Sequence, residues 1–335
     1  MFKAYVAREP GGKLERFEFD PGPLAPDQVE IDVAYCGICR SDYSMLHNHW
    51  QMTSYPFVPG HEAAGRIAAV GSHVKHLNVG QPVGLGWFSR SCTICSQCLS
   101  GNQHLCGNHE GTIVGRYGAF ANKVRCQAMW AVPIPEGVDL AKAGPLFCGG
   151  ITVFNPIAQF EVKPTDRVGV IGIGGLGHLA IQFLNKWGCE VVAFTTSKAK
   201  TDEARRMGAH KTVDTRDDAA IAKLAGSLDF LLCTANVPLN WDAYLATLAP
   251  KGRLHVVGAV PEPIPVSVFS LLVGQKSVSS SPVGGPDLTA KMLEFCARHK
   301  IAPVVEEFPM SKVNEAMAHL ASGKARYRIV LKNDF

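Results

Sequence analysis

The 335-residue sequence has no apolar run long enough to cross a membrane. Its most apolar stretch, Val168 to Leu184, spans 17 residues and is interrupted by five glycines and His178. A membrane-spanning helix needs about 20 mainly apolar residues. The first ten residues also lack the apolar segment of a secretory signal peptide, because Lys3, Arg8 and Glu9 lie among them. We therefore expect a cytoplasmic protein with no membrane partner.

Blocks of one charge sign are also missing. The 33 Lys and Arg and the 29 Asp and Glu are interspersed and leave a net charge of only +4, so the sequence offers no basic track for nucleic acid. We expect a small-molecule partner and no nucleic acid. The chain is 47% hydrophobic, and at 335 residues it is long for a single core, which favours two domains.

The pattern of the sequence changes near residue 150. Short alternating runs separated by Gly, Pro and Asn predict mainly β structure up to there. From 151 to 286, buried strands alternate with helical segments, the rhythm of a doubly wound parallel sheet. The tail, 287–335, predicts two helices and a final strand near Tyr327 to Leu331. We predict an α/β protein with one domain over 1–150, completed by 287–335, and a parallel-sheet domain over 151–286.

A glycine-rich motif opens the second domain. Gly172, Gly174 and Gly177 stand in G-x-G-x-x-G register after an apolar strand and at the start of an amphipathic helix. Such glycines permit a tight turn, and the helix N-terminus presents N–H groups to a pyrophosphate. The alternative is a tight strand-to-helix turn with no ligand. The residues that we predict to contact a dinucleotide here are Gly172, Gly174, Gly175, Leu176 and Gly177.

The next strand favours NADP(H) over NAD. An NAD site needs an acid at the end of that strand for the ribose hydroxyls, but the first acid here is Asp202. Three hydroxyl residues and two lysines, Lys198 and Lys200, precede it and suit a 2′-phosphate. Alternatively, the lysines are a solvated helix start. The predicted contacts are Thr195, Thr196, Ser197, Lys200 and, after a later strand, Val257.

Four of the eleven cysteines lie within fifteen positions of a polar, turn-rich stretch. Their spacing is C-x2-C-x2-C-x7-C, and in a reducing compartment such thiols are metal ligands rather than disulfides. Four thiolates close a tetrahedron around zinc and leave no position for substrate. We predict a structural zinc site at Cys92, Cys95, Cys98 and Cys106.

A second set of metal-binding residue types is dispersed. Cys39, His61 and Cys148 together would leave one zinc position open, as in catalytic sites. Spacing alone does not select these three, since Cys36 and Cys39 also form a C-x2-C pair and each residue is compatible with simple packing.

Six motifs occur in an order that resembles one enzyme family. They are "GICRSD", "GHEAAG", the four-cysteine stretch, "LFCGGIT", "GIGGLGH" and "GKARYRIVLK". The sequence resembles zinc-dependent medium-chain alcohol dehydrogenases over essentially its whole length. It is most similar to the cinnamyl-alcohol-dehydrogenase-like branch and its bacterial broad-range NADPH-dependent aldehyde reductases. The resemblance implies a GroES-like catalytic domain, a Rossmann NADP-binding domain, two zinc ions per chain, and a homodimer or homotetramer.

The resemblance also assigns roles. It implies that Cys39, His61 and Cys148 bind a catalytic zinc, with Glu62 able to approach the metal from behind. It makes Asp42 the acid that orients the zinc-binding histidine and Ser41 the hydroxyl that begins proton transfer. Arg40 and Arg328 match positions that contact the cofactor pyrophosphate. Near these motifs, Trp50, Trp87 and Phe88 form a candidate substrate wall, with ordinary core packing as the alternative.

The implied function is zinc-dependent reduction of aliphatic and aromatic aldehydes to primary alcohols with NADPH. Ser44 stands where many relatives have a relay histidine, so the last proton step is open between His47, His49 and water. Two alternatives are a polyol or secondary-alcohol dehydrogenase on the same scaffold and a non-catalytic NADPH-binding protein.

Overall fold

A computed structural model of the protein describes residues 1–196, 198–260 and 262–335. The chain divides into two compact units. Unit 1 contains Met1–Ile151 and Val283–Phe335, and unit 2 contains Thr152–Pro282. The sequence places the two boundaries at 150/151 and 286/287, so the second lies four residues earlier in the structure than in the prediction.

The elements follow in chain order. The strands are β1 (Phe2–Val6), β2 (Glu15–Phe19), β3 (Gln28–Ile38), β4 (Ala63–Val70), β5 (Pro82–Leu85), β6 (Phe88–Arg90), β7 (Glu110–Gly111), β8 (Lys123–Gln127), β9 (Val132–Pro133), β10 (Arg167–Ile171), β11 (Glu190–Thr195), β12 (Lys211–Asp214), β13 (Leu228–Cys233), β14 (Leu248–Val256), β15 (Ser277–Ser280), β16 (Val305–Pro309) and β17 (Arg328–Lys332). The α-helices are α1 (Arg40–Leu46), α2 (Ser96–Leu99), α3 (Leu140–Ala143), α4 (Gly149–Gln159), α5 (Gly177–Trp187), α6 (Lys198–Arg206), α7 (Asp218–Ala222), α8 (Trp241–Thr247), α9 (Val268–Leu272), α10 (Pro286–His299) and α11 (Val313–Ala321).

Unit 1, whose residues are all described, is built on a β-sheet with the order β16-β17-β3-β4-β5-β9, and β8 also pairs with β3. The pairs are antiparallel except β16 with β17. The tail therefore completes the first domain, because β17 lies directly beside β3. Apolar residues on alternate positions of β3, such as Val29, Ile31 and Val33, are buried in the core of this unit.

In the described part of unit 2, six parallel strands form a sheet with the order β12-β11-β10-β13-β14-β15. The strands β10, β11 and β13 are almost continuously buried, as expected for a sheet covered on both faces. The strand order changes direction at β10, whose neighbours are β11 and β13. Ligands bind at such a switch point, beyond the carboxyl ends of the strands.

The two strands at the edges of this sheet lack the apolar pattern that predicts a buried strand. The strand β12 reads KTVD and β15 reads SVSS, and both are partly exposed. Edge strands bury little surface, so their sequences need not be apolar, and the apolar pattern that reveals the central strands is weak there.

No α-helix among the described residues has both the length and the apolar composition that a membrane span requires.

Candidate functional site

The dispersed cysteines and histidine converge in unit 1. The ligand atoms of Cys39, His61, Glu62 and Cys148 all lie within 4.8 Å of one another, and the two sulfur atoms are 3.8 Å apart. The four residues come from three places in the fold: Cys39 follows β3, His61 and Glu62 precede β4, and Cys148 precedes α4. The sheet pairing of β3 with β4 brings the first three together.

Asp42 fixes the orientation of this cluster. Its carboxylate accepts hydrogen bonds from the His61 ring Nδ1 at 2.9 Å, the Gly60 amide at 2.8 Å and the Cys39 amide at 2.9 Å. Since a carboxylate only accepts here, Nδ1 of His61 carries the proton and Nε2 keeps its lone pair. That Nε2 atom is buried with no hydrogen-bond partner. An imidazole held by a carboxylate, with an unpartnered Nε2 beside two thiols, is the arrangement of a zinc-binding histidine.

The two thiols of the cluster differ in protonation. A hydrogen bond with the Cys148 thiol lowers the pKa of Cys39 well below its usual value and outweighs the effect of burial, whereas the same hydrogen bond and burial raise the pKa of Cys148 well above its usual value. Cys39 is thus ready to bind as a thiolate, and metal binding would release the proton of Cys148. Zinc binds the thiolate form of cysteine. Cys39, His61 and Cys148 therefore fit a zinc ion as its three protein ligands.

Glu62 and Arg328 form a buried ion pair at the same site. Nη2 of Arg328 donates to Oε1 of Glu62, and the two side chains are 5% and 0% exposed. Burial raises the pKa of Glu62 to about 7, although the charge of Arg328 opposes this. The guanidinium of Arg328, which the resemblance directs to the pyrophosphate, is thus engaged by the carboxylate beside the zinc ligands. Its contact with a cofactor stays a prediction.

The four clustered cysteines also converge. The ligand atoms of Cys92, Cys95, Cys98 and Cys106 lie within 4.8 Å of one another. The amides of Cys92 and Asn108 donate to the sulfur of Cys106, and the amide of Cys95 donates to that of Cys92, each at 3.4 Å. Backbone hydrogen bonds from Ile94 and Cys95 lower the pKa of Cys92 to about 6. The four thiols fit a closed zinc site, and all eleven cysteines of the chain are free thiols.

One predicted aromatic wall residue, Trp87, lies beside His61, and a second, Trp50, packs on Trp87. The ring of Trp87 packs edge-on against that of His61, with centroids 5.0 Å apart, and Trp50 packs against Trp87 at 6.1 Å. Trp50 is 39% exposed, so it is accessible to a ligand. Phe88 differs, because its ring is buried against His109 and Trp130. This packing places Phe88 in the core and argues against its assignment to the substrate wall.

The helix α1 carries the predicted proton-transfer residues. The hydroxyl of Ser41 lies 3.6 Å from the sulfur of Cys39, and Ser44, one turn later, is 8% exposed. His47 stacks on Tyr43 with ring centroids 4.1 Å apart, and its Nδ1 donates to the Tyr43 carbonyl at 3.0 Å. This packing does not favour His47 as a proton relay.

Arg40 and His49 occupy exposed positions near α1. The guanidinium of Arg40 lies over the Tyr43 ring, 4.6 Å from its centroid. The amide of His49 donates to the Ser44 carbonyl at 2.9 Å, and its ring approaches Tyr43 edge-on. The pyrophosphate contact of Arg40 stays a prediction, and the proton route remains open between His49 and water.

The glycine-rich motif lies in unit 2 between β10 and α5. Gly172 has a φ of +86°, which favours glycine. A Cβ on Gly177 would lie 1.9 Å from the Gly172 carbonyl oxygen, so only glycine allows the helix to start so close to the strand. A Cβ on Gly174 would meet no atom within 4 Å, which leaves open space beside the loop. Gly175 and Leu176 complete the turn into α5. The loop therefore has the form and the room that a dinucleotide pyrophosphate requires.

The other predicted cofactor residues lie at the same edge of the parallel sheet. Thr195 ends β11 and is 7% exposed, and Thr196 follows it and is exposed. The Nζ atom of Lys200, on α6, donates to the Ile173 carbonyl at 2.8 Å. Val257 follows β14, and its amide donates to the Cys233 carbonyl. Ser197 lies outside the described residues.

One residue at this edge is absent from the predicted set. The Thr234 hydroxyl, at the end of β13, lies 2.7 Å from the Gly172 carbonyl oxygen and 3.0 Å from that of Ile171. The sequence feature that could have identified Thr234 is a polar residue directly after a buried strand. It could not show that β13 lies beside β10, since the strands are about 60 residues apart in the chain and are joined only by the sheet.

Both units match known protein families. Residues 25–136 match the alcohol dehydrogenase GroES-like domain, and residues 175–298 match the zinc-binding dehydrogenase domain. Together with the parallel sheet of unit 2, these matches confirm the predicted fold class and the resemblance from which it follows.

Similar proteins match across the whole chain. An aldehyde reductase, AdhA, from Synechocystis sp. is 54% identical over 333 residues, which are 99% of both chains. A solved structure of the cinnamyl alcohol dehydrogenase SbCAD4 from Sorghum bicolor is 32% identical with a TM-score of 0.94, and the match covers 99% of this chain and 97% of that one. The cinnamyl alcohol dehydrogenase of Helicobacter pylori, solved in complex with NADP(H), is 29% identical with a TM-score of 0.91 and the same coverage.

Proposed function

Because the chain belongs to the zinc-binding alcohol dehydrogenase family, we propose that it reduces aliphatic and aromatic aldehydes to primary alcohols with NADPH. The observation that carries this proposal is the buried set of Cys39, His61 and Cys148, in which Nε2 of His61 has no partner. A protein that only binds a dinucleotide has no use for such a site. The name of the Synechocystis relative, an aldehyde reductase, supports the direction of the reaction.

The chain contributes binding, orientation and a proton. Cys39, His61 and Cys148 would hold a catalytic zinc, and the cysteines from 92 to 106 would hold a structural one, giving two zinc ions per chain. When bound, zinc polarises a carbonyl oxygen and the nicotinamide supplies hydride. Asp42 keeps His61 in the tautomer whose Nε2 lone pair is available. Ser41, beside Cys39, donates the proton that the product alcohol needs, and Trp87 with Trp50 forms an apolar wall next to the ligands.

NADPH is the proposed cofactor because the end of β11 carries hydroxyls and Lys200 instead of an acid. The solved complex of the Helicobacter pylori relative with NADP(H) is consistent with this choice. We further propose that the protein acts in the cytoplasm, where its eleven cysteines stay reduced and able to bind metal.

A homodimer or homotetramer is the proposed assembly. The segment around α9 exposes four large apolar side chains, those of Val268, Phe269, Leu272 and Val273, with exposed fractions of 64% to 84%. Among the described strands, β15 ends the sheet beside β14 and can pair with another strand. An apolar patch next to a sheet edge suits a second copy of the chain. In analytical ultracentrifugation, Phe269→Asp should lower the mass toward a monomer, and an unchanged mass would exclude this surface.

The activity is tested with purified zinc-loaded protein and a panel of benzaldehyde, cinnamaldehyde and medium-chain aldehydes. We expect NADPH oxidation with several members, a much lower kcat/KM with NADH, and about two zinc ions per chain by metal analysis. Oxidation of polyols or secondary alcohols without reduction of any aldehyde would favour the related dehydrogenase activity. Cofactor binding with no turnover of either class would favour a binding protein.

A further inference from the structure

Side chains from three different places hold the carbonyl groups of the glycine-rich loop. Thr234 contacts the Ile171 and Gly172 carbonyl oxygens from the end of β13, and Lys200 donates to that of Ile173 from α6. The Nδ1 atom of His178 donates to the Gly174 carbonyl at 3.0 Å, and so does its backbone amide at 3.1 Å. The carbonyl groups of Gly172, Ile173 and Gly174 therefore each lie within hydrogen-bond distance of a side chain outside the loop.

A hydrogen bond that fixes the orientation of a carbonyl group also fixes the orientation of the next amide in the chain. A peptide unit is planar, with its C=O and N–H groups pointing in opposite directions, so a fixed carbonyl fixes the N–H of the following residue. The carbonyls of Gly172, Ile173 and Gly174 thus set the amides of Ile173, Gly174 and Gly175, which belong to the loop that approaches a pyrophosphate. A loop ordered before the ligand arrives loses less conformational entropy on binding and therefore binds more tightly.

Two of the three side chains, Thr234 and His178, are fixed in place by the sheet and by α5. Thr234 is fixed at the carboxyl end of β13, and its amide also donates to the Ile171 carbonyl at 2.9 Å. His178 is fully buried in the first turn of α5. Lys200 is different, because it lies on the helix that follows β11, the strand whose end carries Thr195 and Thr196. One ammonium group therefore connects the proposed 2′-phosphate region with the loop that would bind the pyrophosphate.

We propose that Thr234 and Lys200 are positioning residues for the dinucleotide, which preset the glycine-rich loop, and that Lys200 makes this order depend on the 2′-phosphate. A phosphate beside Lys200 holds its ammonium group in place by charge, and the ammonium in turn holds the Ile173 carbonyl. Lys200 then affects the binding of both dinucleotides, and it affects NADPH more. The inference rests on the proposed function for the identity of the ligand.

The Thr234 part is tested by direct binding, with no aldehyde present. In Thr234→Val, the side chain keeps its size but loses the hydroxyl, and loss of one hydrogen bond predicts about a fivefold rise in Kd for NADPH and NADH alike. Thr234→Ser keeps the hydroxyl and should stay within about twofold of the parent protein. In turnover, KM for NADPH should rise in Thr234→Val while kcat at saturating cofactor stays the same. Parent-like Kd values in Thr234→Val, or equal weakening in both variants, would overturn the proposal.

The Lys200 part is tested with Lys200→Met, which keeps an apolar stem and removes the ammonium. We expect Kd to rise by more than about thirtyfold for NADPH, through the lost phosphate contact, and by about threefold for NADH, through the loop. A residue that only binds the 2′-phosphate would leave the NADH affinity unchanged or improve it, and this result would refute the coupling. Fluorescence titration of the reduced cofactors measures both values. It distinguishes failure of this inference from failure of the aldehyde reductase proposal, which would show normal binding without turnover.

Discussion

Nδ1 of His61 donates to the Asp42 carboxylate at 2.9 Å, and both side chains are completely buried. The same carboxylate accepts hydrogen bonds from the amides of Cys39 and Gly60, so one side chain connects the backbone segments that carry two of the three candidate zinc ligands. With three protein N–H groups bound to its two oxygens, the Asp42 carboxylate is suited to orient the candidate ligands.

Asp42→Asn should therefore impair the metal site before it unfolds the protein. An asparagine presents an NH₂ group to at least one of the three N–H donors that now face an acceptor, and it removes the charge that favours a protonated Nδ1. We expect a 10- to 100-fold loss of zinc affinity or of kcat/KM, in the range seen for residues that orient metal ligands. Competition with a chromogenic chelator measures the affinity of the open site.

A matched control for this variant is Asp166→Asn. The Asp166 carboxylate also accepts a backbone amide, that of Lys163 at 2.8 Å, but it lies in unit 2 and contacts no candidate zinc ligand. This variant should keep the zinc content and the activity of the parent protein. Full metal affinity and activity in Asp42→Asn would contradict the orienting role.

The buried ion pair of Glu62 and Arg328 makes a second prediction. Arg328→Met leaves the Glu62 carboxylate buried without its cation, and breaking a buried pair in this way costs about 3–5 kcal/mol in the free energy of unfolding. Removal of both charges in the double variant with Glu62→Gln leaves no uncompensated charge. We therefore expect the double variant to be more stable than Arg328→Met alone. Urea unfolding of the zinc-loaded proteins measures this, and a double variant less stable than both single ones would exclude the coupling.

The sequence predicts the parts of this molecule that are local. The spacing of the four cysteines and of the glycines after a strand restricts the local conformation of each segment. Both sites can therefore be predicted without knowledge of the tertiary structure. The trio of Cys39, His61 and Cys148 was not identifiable from spacing, because Cys39 follows β3 and Cys148 precedes α4, and no local pattern encodes their contact. Only the resemblance to a family selected it.

Contacts between distant residues could not be predicted. The resemblance directs Arg328 to the cofactor pyrophosphate, and nothing in the sequence indicates its ion pair with Glu62, 266 positions away, which depends on the placement of β17 beside β3. Thr234 and Lys200 reach the glycine-rich loop through neighbouring strands in the same way. Phe88 shows the opposite limit, since its position near the motifs suggested a place in the substrate wall, but its ring is buried against His109 and Trp130.

Acid should destabilise unit 2 through His255. Its ring is completely buried, with Nδ1 2.9 Å from the Ser279 hydroxyl and Nε2 3.0 Å from that of Ser281. Burial lowers the pKa of His255 to about 4, and the charge of Arg253 adds to this. The folded state therefore binds fewer protons than the unfolded state between about pH 6.5 and pH 4, so stability falls as the pH is lowered through this window. The loss amounts to about 3 kcal/mol near pH 4.

The measurement for His255 is a comparison of two pH profiles. Urea unfolding of the parent protein and of His255→Gln between pH 7 and pH 4 separates this residue from the other groups that titrate in acid, including the zinc ligands. Gln cannot take up a proton, and its amide can still bond to the two serines. The difference between the profiles should grow as the pH falls, and parallel profiles would show that His255 does not contribute.

The four-cysteine site should support stability and not turnover, because four thiolates leave zinc no position for a substrate. Cys98→Ser removes one buried ligand, so we expect the zinc content to fall from about two ions per chain to about one and the Tm to drop, since structural zinc contributes directly to folding. At temperatures where the variant stays folded, kcat should be close to that of the parent protein. Cys189→Ser is the matched control, because the thiol of Cys189 donates to the Lys163 carbonyl and belongs to neither cysteine cluster, and a hydroxyl can replace this donor. Loss of kcat in a folded Cys98→Ser protein that keeps its catalytic zinc would contradict this division between the two sites.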